Sequence, residues 1–476
     1  MKLLYTLFFA LFFLLTGTES VSAQDVRITI PGNSIFNRSE FVTVQNVMNS
    51  QGNKSWRVGG IDPKIRSDSG ENFKHTSSGE FKLPTSVLQW QLAKIGNQTP
   101  PFDSGDVLPG YKWFTNSFQT WYQPSGGSKY NQGDINFSFR VPSLQIEGNT
   151  FHAGQYKLEV VQDYGRSGWY AIQFSPDNFN VFISIPEEIK WISGADSKNV
   201  TINSLNDFRS GSQLSVNLGT MEVGHTVDFT LAAKSRKKEF TFKPLDGKDG
   251  KFTISTVKLG SSNPKINSKL ITEKFNNHSA EGAFKVERGN RSVFDLNLTI
   301  SSEDFKNDFF EAGTYAFQIV LDAKSANKVN SEKEIEVTLV VPALSEISVP
   351  GGNSEVNFTF NTMQQYNEGQ SKTVPNQLRV SNNEKYELYV KSAANYFNSN
   401  GVQSTLNSSI LQISVEGNTQ KQTLTTTPKK LIDKGNPAID KNLNVIYTIS
   451  PESAQSLVQQ QKKIYGINII YSFTAL

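Results

Sequence analysis

The chain of 476 residues contains no cysteine. That excludes disulfide staples, thiolate metal sites and a lipid-bearing cysteine. Histidine is scarce: His75, His152, His225 and His278 are the only four, and none has a short metal-ligand spacing to another. No His-Glu-x-x-His pair, phosphate-binding loop or Gly-x-Ser-x-Gly elbow occurs. No cofactor, metal or catalytic residue is therefore expected. Carboxylates are plentiful, yet no pair stands out as an acid/base couple, so the chain is read as a non-enzyme. Asp246-Gly247-Lys248-Asp249-Gly250 offers few oxygens and reads as a polar turn, not a calcium loop. A formal net charge of +3 over this length gives no electrostatic case for nucleic acid.

Long apolar runs are also missing, with one exception at the N-terminus. Lys2 precedes an apolar stretch from Leu3 to Leu15, and Val21-Ser22-Ala23 puts small residues before Gln24. This is a signal-peptide pattern, shorter than the ~20 residues of a bilayer span. Cleavage after Ala23 is expected, with no membrane span in what remains. The expected location is the periplasm, the cell surface or the extracellular space.

What the chain has in abundance is period-two alternation. Val26 to Ile30, Phe252 to Val257, Ile335 to Val341 and Val356 to Phe360 all alternate apolar with polar residues, the pattern of half-buried strands. Only Pro451 to Gln460 reads as a helix, with Pro at its start. The fold class is all-β.

The alternation is organised in repeats. Ile135-Asn136-Phe137-Ser138-Phe139, Leu296-Asn297-Leu298-Thr299-Ile300 and Leu443-Asn444-Val445-Ile446-Tyr447 share one pattern. A tyrosine-led strand follows each: Phe151-His152-Ala153-Gly154-Gln155-Tyr156, Phe310-Glu311-Ala312-Gly313-Thr314-Tyr315, and a third copy at Tyr465 with Lys462-Lys463 replacing Ala-Gly. The Asn-to-Tyr spacing is 20, 18 and 21 residues, read from those numbers. A second pair of matching segments is Phe229-x-Leu231-x-Ala233-Lys234-Ser235 and Tyr386-x-Leu388-x-Val390-Lys391-Ser392. Apolar strands run into Pro186 and Pro342, which cannot donate to a central ladder. Three sandwich modules are therefore expected, 24–186, 187–342 and 343–476, of immunoglobulin-like or pilin-like type.

The repeated tyrosines read as structural. Gly supplies a tight turn, and Tyr then enters the core with its hydroxyl at the edge, as a corner tyrosine does. In the last strand, Tyr465, Ile467, Ile469, Tyr471, Phe473 and Ala475 share one face. A membrane barrel would need many more such strands.

Val356-Asn357-Phe358-Thr359-Phe360, the segment Val380 to Leu388 and the ending Tyr465 to Ala475 together resemble small secreted domains of Bacteroidetes-type bacteria. Those domains are similar to pilin and spore-coat-type β-sandwiches. The resemblance covers the third module and, loosely, the second. This chain has Gln461-Lys462-Lys463-Ile464 where such domains often have Pro-Gly before the final Tyr. The resemblance implies a structural role at the cell surface or in the periplasm, and no chemistry.

The first module carries Trp56, Trp90, Trp113, Trp121 and Trp169. Trp90, inside an apolar strand, belongs to the core. Tyr111, Trp113, Trp121, Tyr122, Trp169 and Tyr170 lie near turn-rich segments and are the candidate ligand-binding residues, against the alternative that they fill a larger core. The leading expectation is a surface or periplasmic protein, adhesin-like or fimbria-like, whose first module is a recognition platform. Its partners would be a glycan or cell-surface protein, or other pilus or surface-assembly subunits. A secreted carbohydrate-binding or carbohydrate-active protein and a fibre or coat subunit are the alternatives. Processing is checked by N-terminal sequencing of the exported protein: Gln24 should come first, and a retained Met1 contradicts the leader.

Overall fold

The computed structural model describes residues 25–51, 63–102, 104–123, 133–163, 173–176, 178–245, 250–280, 282, 284–351, 355–418 and 420–475. The candidate leader, Trp56, Trp169, Tyr170 and the Asp246–Asp249 turn lie outside them.

The protein is all-β and built of sandwiches in tandem. Residues 26–185 form one pair of facing sheets, 189–341 a second pair, and 345–475 a third pair with a small separate hairpin. Each pair encloses its own apolar core. In the first, Val26, Ile28 and Ile30 alternate inward at 1%, 1% and 0% exposure. The Ile135–Phe139, Leu296–Ile300 and Leu443–Tyr447 repeats each lie in a long central strand.

Two sequence expectations change in detail. Phe252 to Val257 is no continuous strand, because Ile254–Thr256 turns as a 3-10 helix. Leu83 to Leu88 and Leu406 to Leu411 bracket a similar turn in the other modules. The helix expected at Pro451 forms at Pro451–Ser456 and tightens into a 3-10 turn over Leu457–Gln459. Ser450 caps it, accepting from the Ser453 amide at 3.2 Å.

The corner tyrosines form in all three modules. Tyr156 donates to the His152 carbonyl at 3.1 Å, Tyr315 to Glu311 at 2.9 Å and Tyr465 to Gln461 at 2.9 Å. The third corner keeps the bond without the Ala-Gly turn. Gly154 and Gly313 sit at φ 130 and 156, and a Cβ at Gly313 would lie 2.5 Å from the Lys243 carbonyl oxygen. Burial pushes the Tyr156 phenol up to about 12, consistent with a structural group.

Adjacent modules are joined by polar contacts, fully buried at the first junction and partly buried at the second. Asn290, fully buried at φ 55, donates to the carbonyls of Phe151 (2.7 Å) and His225 (2.9 Å) and accepts from the Phe151 amide (2.9 Å). Between the second and third modules Arg209 donates to Asp440 (3.1 Å), Glu346 (2.9 Å) and Ser381 (2.9 Å). Removing one partner from a buried network strands the others.

The aromatic crowding of the first module has a structural explanation. Trp90, Trp121 and Tyr122 are 1%, 2% and 0% exposed, and Trp121 packs edge-on against Phe137. Trp121→Ala should cost about 3–5 kcal/mol of unfolding free energy. Thermal or denaturant unfolding of the variant measures this; an effect below about 0.5 kcal/mol, typical of surface sites, contradicts the core assignment.

Candidate functional site

The first and second modules share a way of closing one sheet. A corner strand begins just before the corner tyrosine: Gly154–Asp163 in the first, Gly313–Lys324 in the second. A closing strand then returns antiparallel to it: Asn178–Ile185 and Asn330–Val341. The closing strand is paired on its other side, in parallel, with the module's opening strand, Val26–Thr29 or Ser197–Thr201. Closing strands thus have both edges occupied, and Ile335, Val337, Leu339 and Val341 are all buried in the second core.

The third module has the two flanks of this arrangement and no closing strand among its described residues. Its corner strand is Ile469–Ala475. The register identifies it: Leu231 pairs with Ala323, Ala233 with Leu321 and Ser235 with Ile319 in the second module. The repeat-matched residues Leu388, Val390 and Ser392 pair with Phe473, Tyr471 and Ile469 in the third. That strand is hydrogen-bonded on one side, to Tyr386–Ser392, and no strand pairs its other edge among the described residues.

The opening flank is Val356 to Phe360. Its place follows from the next helix, Met363–Glu368, capped by Thr362 as Leu205–Arg209 is capped by Ser204. Counting back from the caps matches Val356, Phe358 and Phe360 to Lys198, Val200 and Ile202. The sequence predicts a strand here. The segment is not assigned as one, and it makes no backbone–backbone hydrogen bond among the described residues. Alternation supplied the right side chains, but a strand also needs a neighbour to accept and donate its backbone bonds.

Exposure records the same gap. Phe317, Ile319, Leu321 and Ala323 of the second corner strand are 8%, 0%, 0% and 0% exposed. Their counterparts Ile467, Ile469, Tyr471 and Phe473 are only partly buried, and so is Phe360, whose match Ile202 is 4% exposed. Ala475, expected on the buried face, is exposed. Matched to the second module, an unpaired strand edge and an unpaired segment stand where the closing strand would lie between them, leaving an apolar groove of the kind that accepts an added strand.

One feature of its floor is polar. Tyr471 of the corner strand and Tyr447 of the facing sheet meet hydroxyl to hydroxyl at 2.5 Å. Burial, then the neighbouring Tyr447 phenol, hold Tyr471 well above the usual phenol range; burial likewise raises Tyr447. The matched residues of the second module are Leu321 and Ile300, both aliphatic and buried.

Among the described residues, the candidate aromatic platform is divided between buried and half-buried positions. Trp121 and Tyr122 are core residues, a correction to their nomination for ligand binding: they fill the space between sheets. Tyr111 is half-buried, its hydroxyl 2.7 Å from Ser138 and its ring under the Arg140 guanidinium at 4.1 Å. Trp113 is half-buried on a two-residue strand paired with Gln89. Trp169 and Tyr170 fall outside the described residues. The histidines are closer than their spacing suggested: His75 packs edge-on against Tyr156 at 4.9 Å, and His152 stacks on Phe81 at 3.7 Å beside it. His225 and His278 are fully buried, and burial lowers both. No cluster of three metal-ligating side chains occurs among the described residues.

No family model matches this chain, and no curated protein matches it. Among solved structures, it is similar to the CooA pilin subunit of enterotoxigenic Escherichia coli, at 12% identity, covering 33% of this chain and 97% of that one, with a TM-score of 0.22. The CFA/I adhesin CfaE of enterotoxigenic E. coli matches at 12% identity over 67% and 97%, with a TM-score of 0.26. The CsuC–CsuE chaperone–tip subunit complex of Acinetobacter baumannii archaic chaperone–usher pili matches at 11% identity over 60% and 99%, with a TM-score of 0.29. At these values the likeness is distant, and the case for function rests on the geometry of the third module.

Proposed function

We propose that this chain is a non-enzymatic, exported component of a periplasmic or cell-surface assembly, adhesin-like or fimbria-like, joined to a partner by strand addition at its third module. One observation carries the reading: among the described residues, no strand closes the edge between Val356–Phe360 and Ile469–Ala475, although a strand closes the same edge in both preceding modules. The leader-like N-terminus supports export. The first two modules, closed and joined through Asn290, act as a stiff body that carries the third.

Glycan recognition by the first module is the weaker reading, because Trp121 and Tyr122 belong to its core. The energetics favour the groove. Completing the burial of a large apolar side chain contributes up to about 1.5–3 kcal/mol, and seven such residues line the two lips. A free edge of this kind also invites misassociation unless a partner covers it.

The test is to supply the strand within the chain. The matched numbering places Ala326 of the second module at Leu476. A copy of residues 327–341 fused after Leu476 therefore continues the corner strand through the second module's own turn into a closing strand. The third module should then melt at least several degrees higher, on the scale of about 4–8 °C per kcal/mol for a domain of this size. An unchanged or lowered melting temperature, with the fused segment accessible to protease, contradicts the open groove.

A further inference from the structure

The reading above identifies a strand as the occupant; the floor of the groove says something about that strand's sequence. Two phenol groups carry two O–H protons. The bond between Tyr447 and Tyr471 uses one of them. No acceptor for the second is present among the described residues; Tyr447 is 2% exposed and Tyr471 half-buried, so a strand that closes the groove would bury the unused donor, which is costly. The second module has no such demand, since Ile300 and Leu321 occupy the matched positions.

The register of the second module shows which residue of an added strand stands beside Tyr471. Leu321 is paired with Lys333, Ile319 with Ile335, Phe317 with Val337 and Tyr315 with Leu339. Transferred to the third module, the partner strand runs antiparallel to Ile469–Ala475 and parallel to Val356–Phe360. Its residues opposite Ile469, Ile467 and Tyr465 face the apolar groove and are apolar. Its residue opposite Tyr471 comes alongside the phenol pair, because directly opposed residues of an antiparallel pair share a face. Even in the second module that position is not apolar: the Lys333 stem is largely buried and its amine reaches Asp196 at 2.5 Å.

We propose that the Tyr447–Tyr471 pair is the specificity element of this groove, selecting a partner strand of another polypeptide that places a neutral side chain with an acceptor oxygen, an amide such as Gln, opposite Tyr471 and apolar residues at the next three inward positions. The amide oxygen accepts the unused phenol proton. A purely aliphatic residue leaves that proton buried and unpaired. A carboxylate accepts it too, but must give up its own hydration in an apolar groove. The proposal rests on strand addition at this site and adds the chemistry of the strand.

Synthetic peptides copying Asn330–Val341 separate the two claims. Two are used, carrying Lys333→Gln or Lys333→Leu, each titrated against the full chain by fluorescence anisotropy. The Gln peptide should bind about fivefold tighter, the ratio expected for one net hydrogen bond. In the Tyr447→Phe/Tyr471→Phe double variant, which removes both hydroxyls and keeps both rings, the preference should vanish or reverse. Equal binding of the two peptides to the unmodified chain, or tighter binding of the Leu peptide, overturns the selectivity while leaving strand addition intact. A Gln preference that survives in the double variant also overturns it. Failure of both peptides to bind, with the double variant folded by circular dichroism, overturns strand addition and the selectivity together.

Discussion

Backbone hydrogen bonding at a sheet edge is the constraint on which the structure turns. A β-sandwich can bury its apolar faces well and still be incomplete, because each edge strand leaves a row of amides and carbonyls without protein partners. The first two modules resolve this for one sheet by inserting a closing strand between the opening and corner strands. That strand does two things at once. It satisfies both neighbours' backbones, and it brings four alternating side chains into the core, as Ile335, Val337, Leu339 and Val341 do. Where it is absent, both effects fail together. Val356–Phe360 is then extended without backbone partners, and Ile467 to Phe473 stay partly exposed.

This coupling explains why the third module differs from its siblings in burial rather than in outline. Its larger sheet has Gln370–Asn382 and Ala438–Ile449 paired over most of their length, with irregularities between Val374 and Leu378 and between Val380 and Asn382. Its corner tyrosine bond is made, and its helices are capped. Among the described residues, only the smaller sheet is short of a strand relative to the second module. The modules are also not loosely strung. Asn290 ties the first to the second, and Arg209 ties the second to the third through Asp440, Glu346 and Ser381.

Much of this was legible in the sequence, for reasons that can be named. Period two reports side chains facing a core, so Val26 to Ile30 and Ile335 to Val341 were plain, the latter the inner part of the Asn330–Val341 strand. The Ala-Gly-x-Tyr repeat reports a turn and a corner, which local geometry alone enforces. Alternation does not report pairing. Val356 to Phe360 alternates as well as any true strand, yet its state depends on a neighbour that local sequence cannot specify. Aromatic density was a poor guide for a related reason. Composition places Trp121 and Tyr122 near turns, but only the packing of Phe137 and its neighbours shows that they face inward. The phenol pair was invisible, because Tyr447 and Tyr471 are joined across two sheets and not along one strand. Aligning the repeats through to their final strands would have exposed the missing element, since the second copy continues beyond its corner strand and the third does not within these residues.

The central claim, that one edge of the third module is open while its counterpart is closed, is tested most directly by native-state amide hydrogen exchange. Exchange protection follows the stability of each backbone bond and is read segment by segment. Residues 197–201 and 330–341 of the second module should exchange slowly, at rates set by unfolding of the module. Residues 356–360 should exchange orders of magnitude faster, approaching unstructured chain. Within 469–475, protection should alternate, with amides bonded to Tyr386–Ser392 slow and outward-facing ones fast. Uniform slow exchange across 356–360 and 469–475, matching the second module, would mean that the edge is already closed and would contradict the account.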